Sequence, residues 1–140
     1  MERKELFRAM CALGIAGVGT VLFGSILSSC GSTASITATI VNHTITIPLA
    51  SLADTDLTFV HPEEFPYSIA VEKQSDGYRA LLLRCTRADN PVNYSGVGFT
   101  CPIDGSTFDL NGEVTRGPAS FPLKRLETEI QEENLVITLR

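Results

Sequence analysis

From residue 30 to the C-terminus, no stretch of this chain repeats an apolar residue every 3.6 positions. Short runs of apolar residues alternating with polar or β-branched ones are instead cut by turn-forming residues at intervals of about ten. That pattern excludes a helical body and predicts an all-β domain, a small antiparallel sandwich or barrel. Ile36–Val41 and Thr44–Ile47 read as strands turned at Asn42-His43, with Pro48 as a stop. Leu49–Thr58 reads as a polar connector, and the two prolines of His61-Pro62-Glu63-Glu64-Phe65-Pro66 argue against any regular element there. Tyr67–Lys73 and Tyr78–Arg84 flank Ser75-Asp76-Gly77, a hairpin signal. The run Ala80–Leu83 is apolar at every position, as in a strand buried on both faces. Asp89–Gly98 reads as loop. Thr107–Leu110 and Glu113–Thr115 flank Asn111-Gly112, a type I′ dipeptide, and Leu123–Glu129 and Asn134–Leu139 form a last pair turned at Gln131-Glu132-Glu133.

Of the 140 residues 44% are hydrophobic, but much of that total lies in the first thirty positions and does not contribute to the fold. Arg3, Lys4 and Arg8 precede an almost uncharged run, Ala9–Leu27, and then Leu27-Ser28-Ser29-Cys30. A basic segment, an apolar segment and small residues before a cut site make a secretory signal over residues 1–29. Leu-Ser-Ser-Cys resembles the bacterial lipobox, which implies lipidation of Cys30 as the first residue of a mature chain. The alternative is a plain membrane anchor, for which Ala9–Leu27 is long enough. Either reading puts the domain outside the cytoplasm, in the cell envelope, facing the periplasm or the exterior. Residues 30–39, small and polar, read as a tether, and residues 40–140 as the domain. Cys11 lies in the leader and receives no role. Lys and Arg number 11 against 16 Asp and Glu, a net charge of −5 with no basic cluster, which excludes nucleic acid as the partner.

The two remaining cysteines stand where a strand runs into a loop, in Leu83-Arg84-Cys85-Thr86-Arg87 and in Thr100-Cys101-Pro102-Ile103-Asp104-Gly105-Ser106. The strand ending Gly77-Tyr78-Arg79-Ala80-Leu81, the Cys-Thr and Cys-Pro loop openings, Gly105-Ser106-x-Phe108-Asp109, the Asn-Gly hairpin and Gly117-Pro118-Ala119 before Leu123 follow in order. In this combination the chain resembles the Rieske iron–sulfur domain from about Ile45 to Leu139. The resemblance implies an all-β domain with two cluster-type loops, with Gly117-Pro118-Ala119 covering them, and one-electron transfer through a 2Fe–2S cluster. It also implies a redox or envelope protein as partner. In the family, Cys-x-His and Cys-x-x-His hold the cluster, two thiolates on one iron and two imidazoles on the other.

Carried over position by position, Cys85 and Cys101 match the cysteine ligands, while Arg87 and Asp104 stand at the histidine positions. Asn90 and Ile103 stand where many relatives carry a disulfide between the loops, and Phe108 where many carry tyrosine. Arg has no lone pair for a metal, and Asp is a harder ligand than imidazole. His43 and His61 match no ligand position. The expectation is therefore a cluster that is absent or altered, and a cluster-free accessory or binding subunit rather than a catalyst. The resemblance places the two cysteines together, and without a cluster they are expected to form a disulfide in an oxidising compartment. It likewise places Arg87 and Asp104 together, as an expected ion pair between the loop tips. Two other readings stand beside this one. One is a functional electron carrier with altered ligation. The other is a thiol–disulfide exchanger in which Arg84 and Arg87 depress the pKa of Cys85.

Overall fold

The structure is a computed structural model that describes residues 33–140; the leader, Cys30 and the start of the tether lie outside the described residues. Eleven strands form two sheets. They are β1 (Thr33–Ala38), β2 (Thr44–Pro48), β3 (Leu57–Pro62), β4 (Ile69–Gln74), β5 (Gly77–Leu82), β6 (Asn93–Tyr94), β7 (Gly98–Thr100), β8 (Thr107–Asp109), β9 (Val114–Arg116), β10 (Arg125–Gln131) and β11 (Asn134–Thr138). The larger sheet runs β1-β3-β4-β5-β10-β11-β2 and the smaller β6-β7-β8-β9. The only helical element among the described residues is the 3-10 turn Leu49–Ser51, which seats the buried Leu52 behind it. The all-β expectation therefore holds, with one qualification: β1 and β3 pair in parallel, and every other pairing of named strands is antiparallel.

The large sheet curls around one core. Ile45 and Ile47 of β2, Val60 of β3, Ile69 and Val71 of β4, Ala80 and Leu82 of β5, Leu126 of β10 and Leu135 and Ile137 of β11 all pack together. Strand β10 makes the corner. Arg125 and Leu126 pair with β5, whereas Glu127–Gln131 pair with β11. The period of two puts Ala70, Leu81 and Leu83 on the opposite face of β4–β5, where they meet Val92, Phe99, Phe108, Ala119, Leu123 and both cysteines in a second core. The run Ala80–Leu83 is thus buried on both faces, as its composition predicts, because β4–β5 is the wall shared by the two cores. Tilted rings tie the small sheet to β3 beside that wall: Phe59 lies 5.1 Å from Tyr94, which lies 5.9 Å from Phe99.

Four local expectations are corrected. The strand pairing near the start of the domain differs from the expected hairpin. Thr33–Ala38 is an edge strand with alternating exposed and half-buried residues, paired to β3 and not to β2. Ile36 and Ala38 pack on the first core, and the free edge of β3 makes this small, polar segment extended. Only the bridge Val41–Thr44, across Asn42 and His43 at positive φ, survives of the expected first hairpin. Next, β3 runs through His61-Pro62, where no element was expected. Pro62 is tolerated because β4 has already left β3 at Val60–Ile69, and on the β1 side the Glu63 N–H donates to Ala38 O instead. Third, the expected loop Asp89–Gly98 contains β6, which pairs with β7. Finally, two turns differ in type. The first hairpin turn is centred on Ser75-Asp76, with Gln74 opposite Gly77. At Asn111-Gly112 only Gly112 has positive φ, so the turn is not type I′; the Asp109 N–H donates to Glu113 O around a three-residue loop. The last pair, β10–β11, turns at Glu132-Glu133 as expected.

Gly98 decides how closely the small sheet can pair. A Cβ there would lie 2.1 Å from the carbonyl oxygen of Phe108. Gly98→Ala is expected to force β7 and β8 apart and to cost about 1–3 kcal/mol, read as a lower urea midpoint with an unchanged slope.

Candidate functional site

Cys85 lies three residues past the end of β5 and Cys101 directly follows β7, at the top of the second core, and both are fully buried. The two loops that follow them are built alike. The Cys85 N–H donates to Asn90 O at 2.8 Å and its carbonyl accepts from the Asp89 N–H at 3.1 Å. The Cys101 N–H donates to Ser106 O at 2.8 Å and its carbonyl accepts from the Gly105 N–H at 3.1 Å. In each loop the residue four after the cysteine has positive φ, +52° at Asp89 and +76° at Gly105. Such a residue lets the chain reverse within one turn, and Asp is among the few side chains besides Gly that tolerate it. The like offsets of Asp89 and Gly105 were the signal available in the sequence, and it went unread there.

The loops are braced from beneath. Ser106 is fully buried, and its Oγ accepts the Ala119 N–H at 2.9 Å. That bond docks the Gly117-Pro118-Ala119 segment: Ala119 is buried, while Gly117 and Pro118 stay exposed. Thr86 Oγ1 donates to Phe121 O at 2.7 Å and ties the first loop to the same segment. Phe108 lies buried below in the second core, with no hydroxyl to offer the site.

Asp104 is drawn inward. Its Oδ1 accepts the Ser106 N–H at 2.9 Å. Its carboxylate faces the thiols, with Cys85 Sγ donating to Oδ2 at 3.7 Å. The ligating atoms of Cys85, Cys101 and Asp104 all lie within 4.8 Å of one another. The Ser106 backbone N–H, helped by its side chain, holds the Asp104 carboxyl below the usual carboxylate range. Burial pushes the Cys101 thiol up.

Two expected contacts are absent. Arg87 is exposed and makes no ion pair with Asp104. The carboxylate is committed to Ser106 and the thiols, which leaves the guanidinium in water. Ion pairs among the described residues include Arg79–Glu72 and Arg84–Asp89. The second takes Arg84 away from Cys85, with its guanidinium also 5.4 Å over the Tyr67 ring. Both cysteines are free thiols, so the expected disulfide is not formed in this structure; each sulfur instead faces the carboxylate between the loops. His43 lies in the tight turn before β2, and His61 Nδ1 hydrogen-bonds Ser68 Oγ at 2.7 Å; neither joins the cysteines.

A 2Fe–2S cluster of the Rieske type requires two donors on each iron. Here two thiols and one carboxylate converge, and Arg87, which the resemblance sets at the fourth position, is exposed and has no lone pair to offer. The residues do not fit that group.

No family model matches the chain. A 56-residue stretch, 40% of this chain, is 39% identical to the cytochrome b6-f complex iron-sulfur subunit 2 of Nostoc sp. (strain PCC 7120). A 73-residue stretch, 51% of this chain, is 34% identical to the cytochrome b6-f complex iron-sulfur subunit of Prochlorococcus marinus (strain AS9601). These matches span 30% and 41% of the relatives' own lengths. Among solved structures, the plasma membrane Rieske protein PetC3 from Synechocystis PCC 6803 superimposes with a TM-score of 0.50 at 24% identity, over 65% of this chain and 94% of that one. The fold is thus of Rieske type, an all-β domain carrying two cysteine loops at one end.

Proposed function

We propose that this Rieske-type domain works without an iron–sulfur cluster, as a membrane-tethered accessory or binding subunit of a bacterial envelope complex. The observation that carries this reading is the placement of Arg87. The residue that the resemblance sets at a ligand position of the first loop offers no lone pair and stays exposed, apart from the convergent thiols. The relatives are subunits of cytochrome b6-f complexes by name, which supports a redox assembly as the partner. When oxidised, Cys85 and Cys101 close as a disulfide, for which their loops already bring the two sulfurs together. Against a thiol–disulfide exchanger, which needs a stabilised thiolate, stands the pairing of Arg84 with Asp89 rather than with Cys85.

One observation favours a second reading, electron transfer through a cluster with altered ligation: Asp104 faces both thiols from a ligand position. Iron and acid-labile sulfide separate the two. The full chain, made anaerobically with cluster-assembly support, is expected to hold neither; about two of each per chain would overturn the cluster-free reading.

The tether is tested separately. Cys30→Ala is expected to block lipidation and leave residues 1–29 attached, seen as a heavier band on immunoblots of whole-cell extracts that carries no radioactive fatty acid, where the wild type is labelled. A processed, unlabelled wild-type chain would sink the lipid anchor.

A further inference from the structure

We propose that, with its thiols reduced, the site holds a single thiophilic divalent cation of the zinc class on Cys85, Cys101 and Asp104. This rests on the cluster-free reading above. The argument is one of donor chemistry and spacing. Thiolate ligands select such ions, and a carboxylate oxygen completes many of their sites. Metal–sulfur bonds of about 2.3 Å and metal–oxygen bonds of about 2.0–2.2 Å put the donors of one tetrahedral ion roughly 3.5–3.8 Å apart. Cys85 Sγ already stands 3.7 Å from Asp104 Oδ2, and all three donor atoms fall within 4.8 Å of one another. Ligands that serve two different irons stand farther apart, because the iron–iron vector separates them. The inward turn of Asp104 therefore makes the site smaller, of a size for one ion.

The supporting groups of a metal site are also present. The Ser106 N–H fixes the carboxylate at 2.9 Å, and the buried Ser106 is held in turn by Ala119. The two cysteines open the paired loops that follow β5 and β7, with their backbone groups satisfied within those loops. Both sulfurs are buried among apolar side chains, while Asp104 is half-buried and opens the fourth position toward solvent. On binding, each thiol gives its proton to water, so two thiolates and one carboxylate surround a doubly charged ion. A Cys85–Cys101 disulfide and the ion exclude each other, and the structure shows the thiol form.

The test uses the full chain in detergent, reduced with a phosphine, equilibrated with Zn²⁺ and desalted. About one zinc per chain is expected. Co²⁺ on the wild-type chain is expected to give a thiolate-to-cobalt charge-transfer band, a signature that surface carboxylates cannot produce. Cys85→Ser and Cys101→Ser are each expected to abolish the band, and Asp104→Ala to weaken zinc binding at least about tenfold, with far-ultraviolet dichroism unchanged. No retained zinc on the reduced, folded chain, or bound Co²⁺ without a thiolate band, would overturn the inference. The Co²⁺ spectrum of the wild type decides this even if the serine variants fail to fold. Loss of this inference leaves the cluster-free reading standing, whereas two irons and two sulfides per chain would overturn both.

Discussion

Arg87→His combined with Asp104→His is expected to turn a chain without iron into one carrying about two irons and two sulfides. The backbone that presents the four positions is intact. Both cysteines donate and accept the same hydrogen bonds five and four residues ahead, and Ser106 still anchors Ala119 beneath the second loop. Only the donors at two side-chain positions differ. Imidazole at 87 supplies the lone pair that guanidinium lacks, and imidazole at 104 replaces an oxygen donor turned toward the thiols. The pair changes together because the second iron of a Rieske-type cluster takes two imidazoles, and Arg87→His alone would set one imidazole beside the carboxylate that faces the thiols. The readouts are visible absorbance and iron with acid-labile sulfide on protein made anaerobically. A folded double variant without iron would show that the loops no longer present their tips in a ligating geometry, and that the loss of the cluster lies deeper than two residues.

Phe108→Ala is expected to destabilise the domain by about 3–5 kcal/mol. Phe108 is 2% exposed and pairs with Phe99 across β7–β8. Its ring belongs to the second core with Leu81, Leu83, Phe99 and both cysteines. Removing it opens a cavity under the loops, and neither neighbouring strand can close it without breaking the Gly98–Asp109 pairing. A domain of this size has a total stability of about 5–15 kcal/mol, so the loss takes a large share of it. Urea unfolding measures it directly. Phe108→Tyr, by contrast, keeps the volume of the ring and tests whether a hydroxyl can be accommodated toward the site. A midpoint for Phe108→Ala within error of wild type would mean that the small sheet does not share the core described above.

Several elements were legible in the sequence because they depend on neighbours close along the chain. Ser75-Asp76 and Glu132-Glu133 turn hairpins whose strands alternate or run apolar, and β4, β5, β10 and β11 follow. The buried run Ala80–Leu83 announced a strand with a core on each side. β1 was missed because Thr33–Ala38 has the composition of a linker and becomes a strand only by pairing with β3, more than twenty positions away. The strand through His61-Pro62 was missed for the same kind of reason: whether proline is tolerated depends on where β4 ends, which no local rule states.

At the site, the sequence by itself determined which side chains stand in the two cysteine loops: two thiols, a carboxylate, and a guanidinium that has no lone pair for a metal. Only the tertiary structure decided how those groups meet. Opposite charges at positions 87 and 104 suggested a pair, yet the Asp104 carboxylate turns to the Ser106 N–H and the two buried thiols, and Arg87 stays in water. The physical reason is that a guanidinium is cheaply hydrated at a loop tip, whereas a backbone N–H near a buried serine needs an acceptor close at hand. Residue identity sets what a loop can offer; the competition among buried donors for that offer is settled by packing.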